Sequence, residues 1–423
     1  MTIARLSIIA AAIATLAACG KKPEEPAASA SQPAQQEAAA AAKPAEATVV
    51  KIGHVGPLTG PIAHLGKDNE NGVRLAIDEL NAENFQIDGK PVKFELIAED
   101  DQADPKTATT VAQRLVDAKV NGVIGHLNSG TTIPASKLYN DAGIPQISAS
   151  ATAVAYTAQG YKTAFRVMSN DAQQGKALGE YAVKGAGAKK IAIIDDRTAY
   201  GQGLADEFEK AAKAAGGEIV KREFTSNNAT DFQAILTSIK GKAPDLVFYG
   251  GMDAQAGPMV KQMRRLGLKA KYMSGDGTQT AEFVKMAGND ADGVIASSPG
   301  LPKEKLPGGA EFLKKFEAKY GPVQIYAPYC YDATKLMAKA MQNAKSSDPK
   351  VYLPELAKIQ YNGVTGPVSF DEKGDIKFGS ITIYTVKGGK WETTSFVGGE
   401  MKQEGAAEPA PAAPEAKPEE AKS

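Results

Sequence analysis

The chain has 423 residues, with 49 Lys and Arg against 49 Asp and Glu, so its formal net charge is zero. That balance gives no electrostatic reason to expect nucleic acid as a partner. Two cysteines and three histidines exclude a disulfide framework and argue against a metal cluster, while the length leaves room for two domains.

In chain order, a lone Arg5 precedes an apolar run from Leu6 to Ala18. The run is shorter than the ~20 residues of a bilayer-spanning helix and fits the apolar region of a signal peptide, residues 1–18. It ends in Leu16-Ala17-Ala18-Cys19, which resembles the bacterial lipobox. The resemblance implies cleavage before Cys19 and lipidation there, hence a periplasmic, membrane-anchored lipoprotein of the Gram-negative type. Residues 19–48 are nearly all Ala, Pro, Glu, Gln and Ser, with no aromatic residue to bury. They read as a disordered tether, and residues 397–423 read as a similar Ala/Pro/Glu tail. With Cys19 assigned to lipid, Cys330 is expected as an unpaired thiol in a core helix.

The body, about Val49 to Phe396, alternates strand and helix. Val49 to Val55 reads as a buried strand, and Val73, Ala76, Ile77 and Leu80 then repeat at helical spacing. "VKFELIAED" is a strand. Asp104-Pro105 supplies an N-cap and a first-turn proline for a helix bearing Ala108, Val111 and Leu115. A strand at Val120–Gly125 leads into "GHLNSGTTIPAS", where hydroxyls and glycine crowd a helix start. Such a junction offers free N–H groups and the positive end of a helix dipole to an anion, although one cap residue would need no ligand.

The second half repeats the rhythm. "KKIAIIDD" is a strand, followed by a helix with Leu204, Phe208 and Ala211. A helix over Asp231–Lys240 carries Phe232, Ile235, Leu236 and Ile239. Strand "PDLVFYGG", helix Pro258–Leu266 and strand "KAKYMSGDG" follow. Strands apolar on both faces predict parallel sheets covered by helices, that is, two doubly wound α/β lobes. Ligands then belong beyond the carboxyl ends of the strands, where Gly, Ser, Thr and Asp dominate the loops.

Catalytic signatures are missing from the sequence. It has no P-loop, no Gly-x-Ser-x-Gly, and no histidine pair at metal-ligand spacing among His54, His64 and His126. Gly201-Gln202-Gly203 begins like a dinucleotide fingerprint, but Asp206 stands where its third glycine should be. The chain reads as a binding protein without cofactor or metal rather than an enzyme.

The segments "GPLTGP", "EDDQADP", "VIGHLNSGTTIPAS", "ISASAT", "AIIDDRTAYGQGLA", "FYGGMDAQ", "GLKAKYMSGDG" and "GPVSFDEKGD" occur in the order found in the branched-chain amino-acid-binding proteins of ABC transporters. Essentially all of Val49–Phe396 resembles this type I solute-binding family. The resemblance implies two lobes joined by three crossovers, with the ligand between them. Lobe 1 would take Val49–Ser169 plus Pro299–Leu356, and lobe 2 Asn170–Ser298 plus Ala357–Phe396. Ser129 and Thr152 would hold the ligand's carboxylate. The Ser150 carbonyl and Asp276, with Gly277 beside it, would take its ammonium, and Tyr200 would reach in from the other lobe. Leu65, Met252, Asn128 and Gln324 would line the side-chain pocket. The two amides among them would be unsatisfied against a purely aliphatic ligand unless otherwise paired. The implied function is capture of Leu, Ile or Val by a monomer that hands it to an inner-membrane permease and ATPase. Reporting to a chemoreceptor or kinase, or binding of a polar amino acid or amide, stays open.

Overall fold

Residues 47–398 are described by a computed structural model. The first half runs β1 (Thr48–Gly56), α1 (Ala63–Ala82), β2 (Gln86–Ile87), β3 (Lys90–Asp100), α2 (Pro105–Asp117), β4 (Gly122–Gly125), α3 (Ser129–Ala142), β5 (Gln146–Ser148), α4 (Ala155–Ala158) and β6 (Ala164–Arg166). The strands pair in the order β2-β3-β1-β4-β5-β6, all parallel except the edge strand β2. The register sets Ile52 beside Leu96 on one side and Gly122 on the other.

The chain then passes through α5 (Asp171–Glu180) and a π turn, Tyr181–Gly185, into a second sheet. Its elements are β7 (Lys190–Asp195), α6 (Ala199–Ala214), β8 (Glu218–Phe224), α7 (Gln233–Lys240), β9 (Leu246–Gly250), α8 (Asp253–Arg265), β10 (Lys271–Ser274), α9 (Ala281–Ala287) and β11 (Ile295–Pro299). A second crossing leads to α10 (Gly309–Tyr320), α11 (Ala327–Asn343) and α12 (Pro349–Ala357), of which α10 and α11 lie against α1. A small hairpin, β12 (Tyr361–Gly363) and β13 (Gly366–Val368), packs on α11, with Asp332 accepting the Val364 and Thr365 N–H groups. The third crossing returns to β14 (Ser380–Lys387) and β15 (Lys390–Gly398). The second sheet is ordered β15-β14-β11-β10-β9-β7-β8.

Local chemistry explains most of these elements. Asp104 caps α2 by accepting the Thr107 N–H at 2.7 Å, ahead of Pro105. β4 and β9 are buried along their whole length, as strands covered by helices on both faces must be. Cys330 is free and buried in α11. Two expectations need correction. The second sheet is not wholly parallel, because β14 and β15 run antiparallel on its edge. The helix expected to start at Pro258 starts at Asp253 and carries the proline inside. An acidic first residue suits the positive helix end, and the ring forfeits only one backbone bond. Cys19 and nearly all of the tether and tail fall outside the described residues, but Thr48, read as the tether's end, opens β1, and residues 397–398, read as the tail's start, finish β15.

Candidate functional site

The carboxyl ends of both sheets face a small, narrow cleft. Leu127, Asn128, Ser129, Ser150 and Tyr326 line it from the first lobe, and Tyr200, Met252 and Asp276 from the second.

The hydroxyl-rich junction is built around α3. Asn128 takes the N-cap position but makes no side-chain cap, and its Oδ1 is buried without a partner. The neighbouring threonines turn backward, with both Thr131 and Thr132 Oγ1 donating to the Asn128 carbonyl. Ser129 is 1 % exposed, and its Oγ accepts the Ala153 N–H at 3.1 Å. That bond fixes the oxygen and leaves the hydroxyl proton free to donate to an anion. Ser150 Oγ accepts from Asn69 Nδ2 at 3.0 Å, and no donor among the described residues reaches its carbonyl. Thr152 Oγ1 is buried and unpaired.

On the opposite wall, Asp276 opens a short 3-10 turn after β10. Its Oδ1 accepts from Tyr200 at 2.8 Å and from Gln174 at 3.0 Å, and its Oδ2 accepts from Tyr326 at 2.6 Å. Burial raises its pKa, and the three hydrogen bonds only partly oppose that rise. No cation bonds to it. Three donors supply the hydrogen bonds that a fully buried carboxylate requires. The Gly277 N–H donates to Tyr200 Oη, and a Cβ at Gly277 would come within 2.7 Å of Met252 Sδ.

Two residues absent from the expected set belong here. Tyr326, just before α11, reaches across to Asp276. It is held by Asp68 of α1, whose carboxylate accepts the N–H groups of Gln324, Ile325, Tyr326 and Ala327 at 2.8–3.1 Å. Asp171, the first residue of α5, is 1 % exposed, and its Oδ2 has no partner. Burial, and then the nearby Asp276 charge, push its pKa up to about 8.

Of the residues expected at the site, Ser129, Ser150, Asn128, Tyr200, Met252 and Asp276 line the cavity; Thr152, whose carbonyl accepts the Asp171 N–H, and Gly277, which donates to Tyr200, do not. Leu65 is fully buried in the core and does not line it. Gln324 points its amide toward the Pro322 carbonyl instead. The reason is that Asp68 takes the Gln324 backbone and turns its side chain outward.

The periplasmic binding protein family model matches residues 49–390, and the chain belongs to that family. It is 37% identical over 341 residues to the Leu/Ile/Val-binding protein homolog 1 of Brucella abortus, covering 79% of this chain and 88% of that protein. It is 32% identical over 339 residues to the leucine-, isoleucine-, valine-, threonine- and alanine-binding protein of Pseudomonas aeruginosa, covering 80% of this chain and 90% of that one. Among solved structures it resembles the branched-chain amino acid transporter substrate-binding protein LivJ of Streptococcus pneumoniae, crystallised with isoleucine. That match has a TM-score of 0.75 and 32% identity, over 83% of this chain and all of that one.

Proposed function

We propose that the chain captures a branched-chain amino acid between its lobes and delivers it to an ABC permease and ATPase complex in the membrane. The carrying observation is the pairing of opposite needs across one small cavity. One wall offers the Ser129 hydroxyl and the start of α3 to an anion, and the other offers a buried carboxylate with no cation of its own. A zwitterion supplies both missing charges, whereas leaving either one unpaired in a closed cleft would cost several kcal/mol. Ser129 and Thr152 are assigned to the ligand's carboxylate. The Ser150 carbonyl and Asp276 are assigned to its ammonium, with Asp171 nearby. Met252 and Leu127 would meet its side chain.

The lobes are taken as Val49–Ser169 plus Pro299–Leu356 and Asn170–Ser298 plus Ala357–Phe396, closing on the ligand as a monomer. Lipidation at Cys19 would tether the body on the periplasmic side through residues 19–48. The unpaired Asn128 Oδ1 supports a range that extends to a hydroxylated amino acid, in keeping with the threonine in the Pseudomonas relative's name. Calorimetry with leucine, isoleucine, valine and threonine tests the reading, alongside mass spectrometry of small molecules released by denaturation. Binding of none of the four, with no amino acid released, overturns it.

A further inference from the structure

Gln174 Nε2 stands between two buried carboxylates, 3.3 Å from Asp171 Oδ1 and 3.0 Å from Asp276 Oδ1. Its carbonyl accepts the Asp276 N–H at 3.2 Å and the Ser297 hydroxyl at 2.6 Å. The Asp276 N–H and the two carboxylates orient the amide, since exchanging its oxygen and nitrogen would set donor against donor and oxygen against carboxylate there. One uncharged amide therefore serves two acids.

Among the described residues, the Thr152 hydroxyl and the Arg166 charge oppose the rise at Asp171, but only in part. Arg166 of β6 is committed to Asp375 at 2.6 Å, to the carbonyls of Ala151 and Ala153, and to Thr157. From α6, Tyr200 gives its proton to Asp276, and Gly203 adds no side chain. Tyr326, ahead of α11, also gives its proton to Asp276. The Thr152 hydroxyl has no partner at ordinary hydrogen-bond geometry and, although it favours the charged Asp171, it brings no charge of its own. The start of α5 contributes roughly half a positive charge, less than the full negative charge of a second carboxylate. Burial raises both acids, and Asp276 raises Asp171 further.

We infer that Asp171 and Asp276 act as one acid pair that holds a proton before the amino acid arrives and gives it up to water as the ligand's ammonium takes its place. The inference rests on the amino-acid reading proposed above. The step balances. One carboxylic O–H bond breaks and its proton leaves for solvent, the pair goes from one negative charge to two, and the ammonium brings one positive charge while keeping its own protons. The cleft's net charge is thus unchanged by binding at the ammonium end. Proton and ligand then compete, so affinity falls by up to about tenfold per pH unit as pH drops below about 8.

Leucine binding to the full chain at pH 7, measured by calorimetry in two buffers of different ionisation enthalpy, counts the protons released. The wild type should release about one proton more than Asp171→Asn, and that difference should shrink toward zero above about pH 9. Taking the difference cancels titration elsewhere, including that of His64. Equal counts in the two proteins overturn the inference. A second measurement needs no variant: infrared difference spectra of the wild type should lose a protonated-carboxyl band on adding leucine. Binding without that loss also overturns it. If none of leucine, isoleucine, valine and threonine binds and no amino acid is released on denaturation, the amino-acid reading itself falls, and this inference falls with it.

Discussion

At the scale of single residues, Asp276 and Ser129 carry different shares of the same ligand. Charge-assisted hydrogen bonds contribute about 1.5–3 kcal/mol each, and removing a carboxylate strands a buried cation. Asp276→Ala should weaken an amino acid by at least ~100-fold, or ~2.7 kcal/mol, whereas Ser129→Ala should cost less because the backbone N–H survives. A deaminated analogue should bind the wild type poorly yet lose little more on Asp276→Ala. Titration calorimetry on both proteins with both ligands closes the cycle, and an Asp276→Ala protein that binds the amino acid like wild type reduces Asp276 to a turn residue. A second residue-scale contact bridges the lobes. His64 Nε2 of α1 lies 2.7 Å from Asp253 Oδ2 at the start of α8, where Thr280 also donates to that oxygen. Burial alone would lower the His64 pKa, but Asp253, with smaller help from Glu282 and Asp68, raises it above 6.5. A raised histidine contributes stability that is fully present below about pH 6.5 and is lost as pH rises through its folded value. The stabilities of wild type and His64→Gln, from thermal melts, should therefore differ most at pH 6, by about 1 kcal/mol or less, with the gap narrowing as pH rises well above 6.5. A gap that is constant across that range sinks the ion-pair account.

At the scale of elements, α1 and α11 show how close packing is written into small residues. A Cβ at Gly72 of α1 would run into the Ala327 carbonyl at the start of α11. The obstacle is backbone, so it cannot rotate away, and Gly72→Ala should destabilise the fold by about 1–3 kcal/mol despite its better helix propensity. A denaturant midpoint equal to wild type would show that the two helices can slide apart freely. The same scale shows what the sequence disclosed. Alternating apolar strands and capped helices were legible because each is a local pattern: Asp104-Pro105 announces α2, and Val73, Ala76, Ile77 and Leu80 announce the buried face of α1. The antiparallel β14 and β15 were not, because strand direction is decided by where the third crossing returns. Asp276 and Ser129 were legible through family likeness at strand ends. Asp171 was hidden because Asn170 and Asp171 satisfy every rule for a helix start, and its partner Asp276 is brought beside it only by tertiary folding. Tyr326 was hidden for a similar reason: in "IYAPYCY" an aromatic reads as core, and nothing local reveals that Asp68 aims it at Asp276.

At the scale of the whole molecule, two lobes joined by three crossings can bend only where those crossings lie. Polar contacts that cross the cleft include Tyr326 to Asp276 and His64 to Asp253, beside apolar packing that also runs between the lobes near Leu127, Tyr200 and Met252. The two polar contacts by themselves add little against the entropy of opening. A ligand that bonds to both walls adds the missing differential free energy and shifts the balance toward closure. Small-angle scattering should show a more compact particle with saturating leucine than without. Tyr326→Phe removes one wall-to-wall hydrogen bond and leaves Asp276 with two donors, so it should weaken binding by about 3–10-fold, in line with ~1 kcal/mol for one such bond, while still allowing compaction at higher leucine. Asp276→Ala should prevent compaction at concentrations that close the wild type, because the ligand then lacks its anchor on the second lobe. If leucine binds the wild type tightly and the scattering curve does not change, hinge closure is wrong and the ligand enters an already closed cleft.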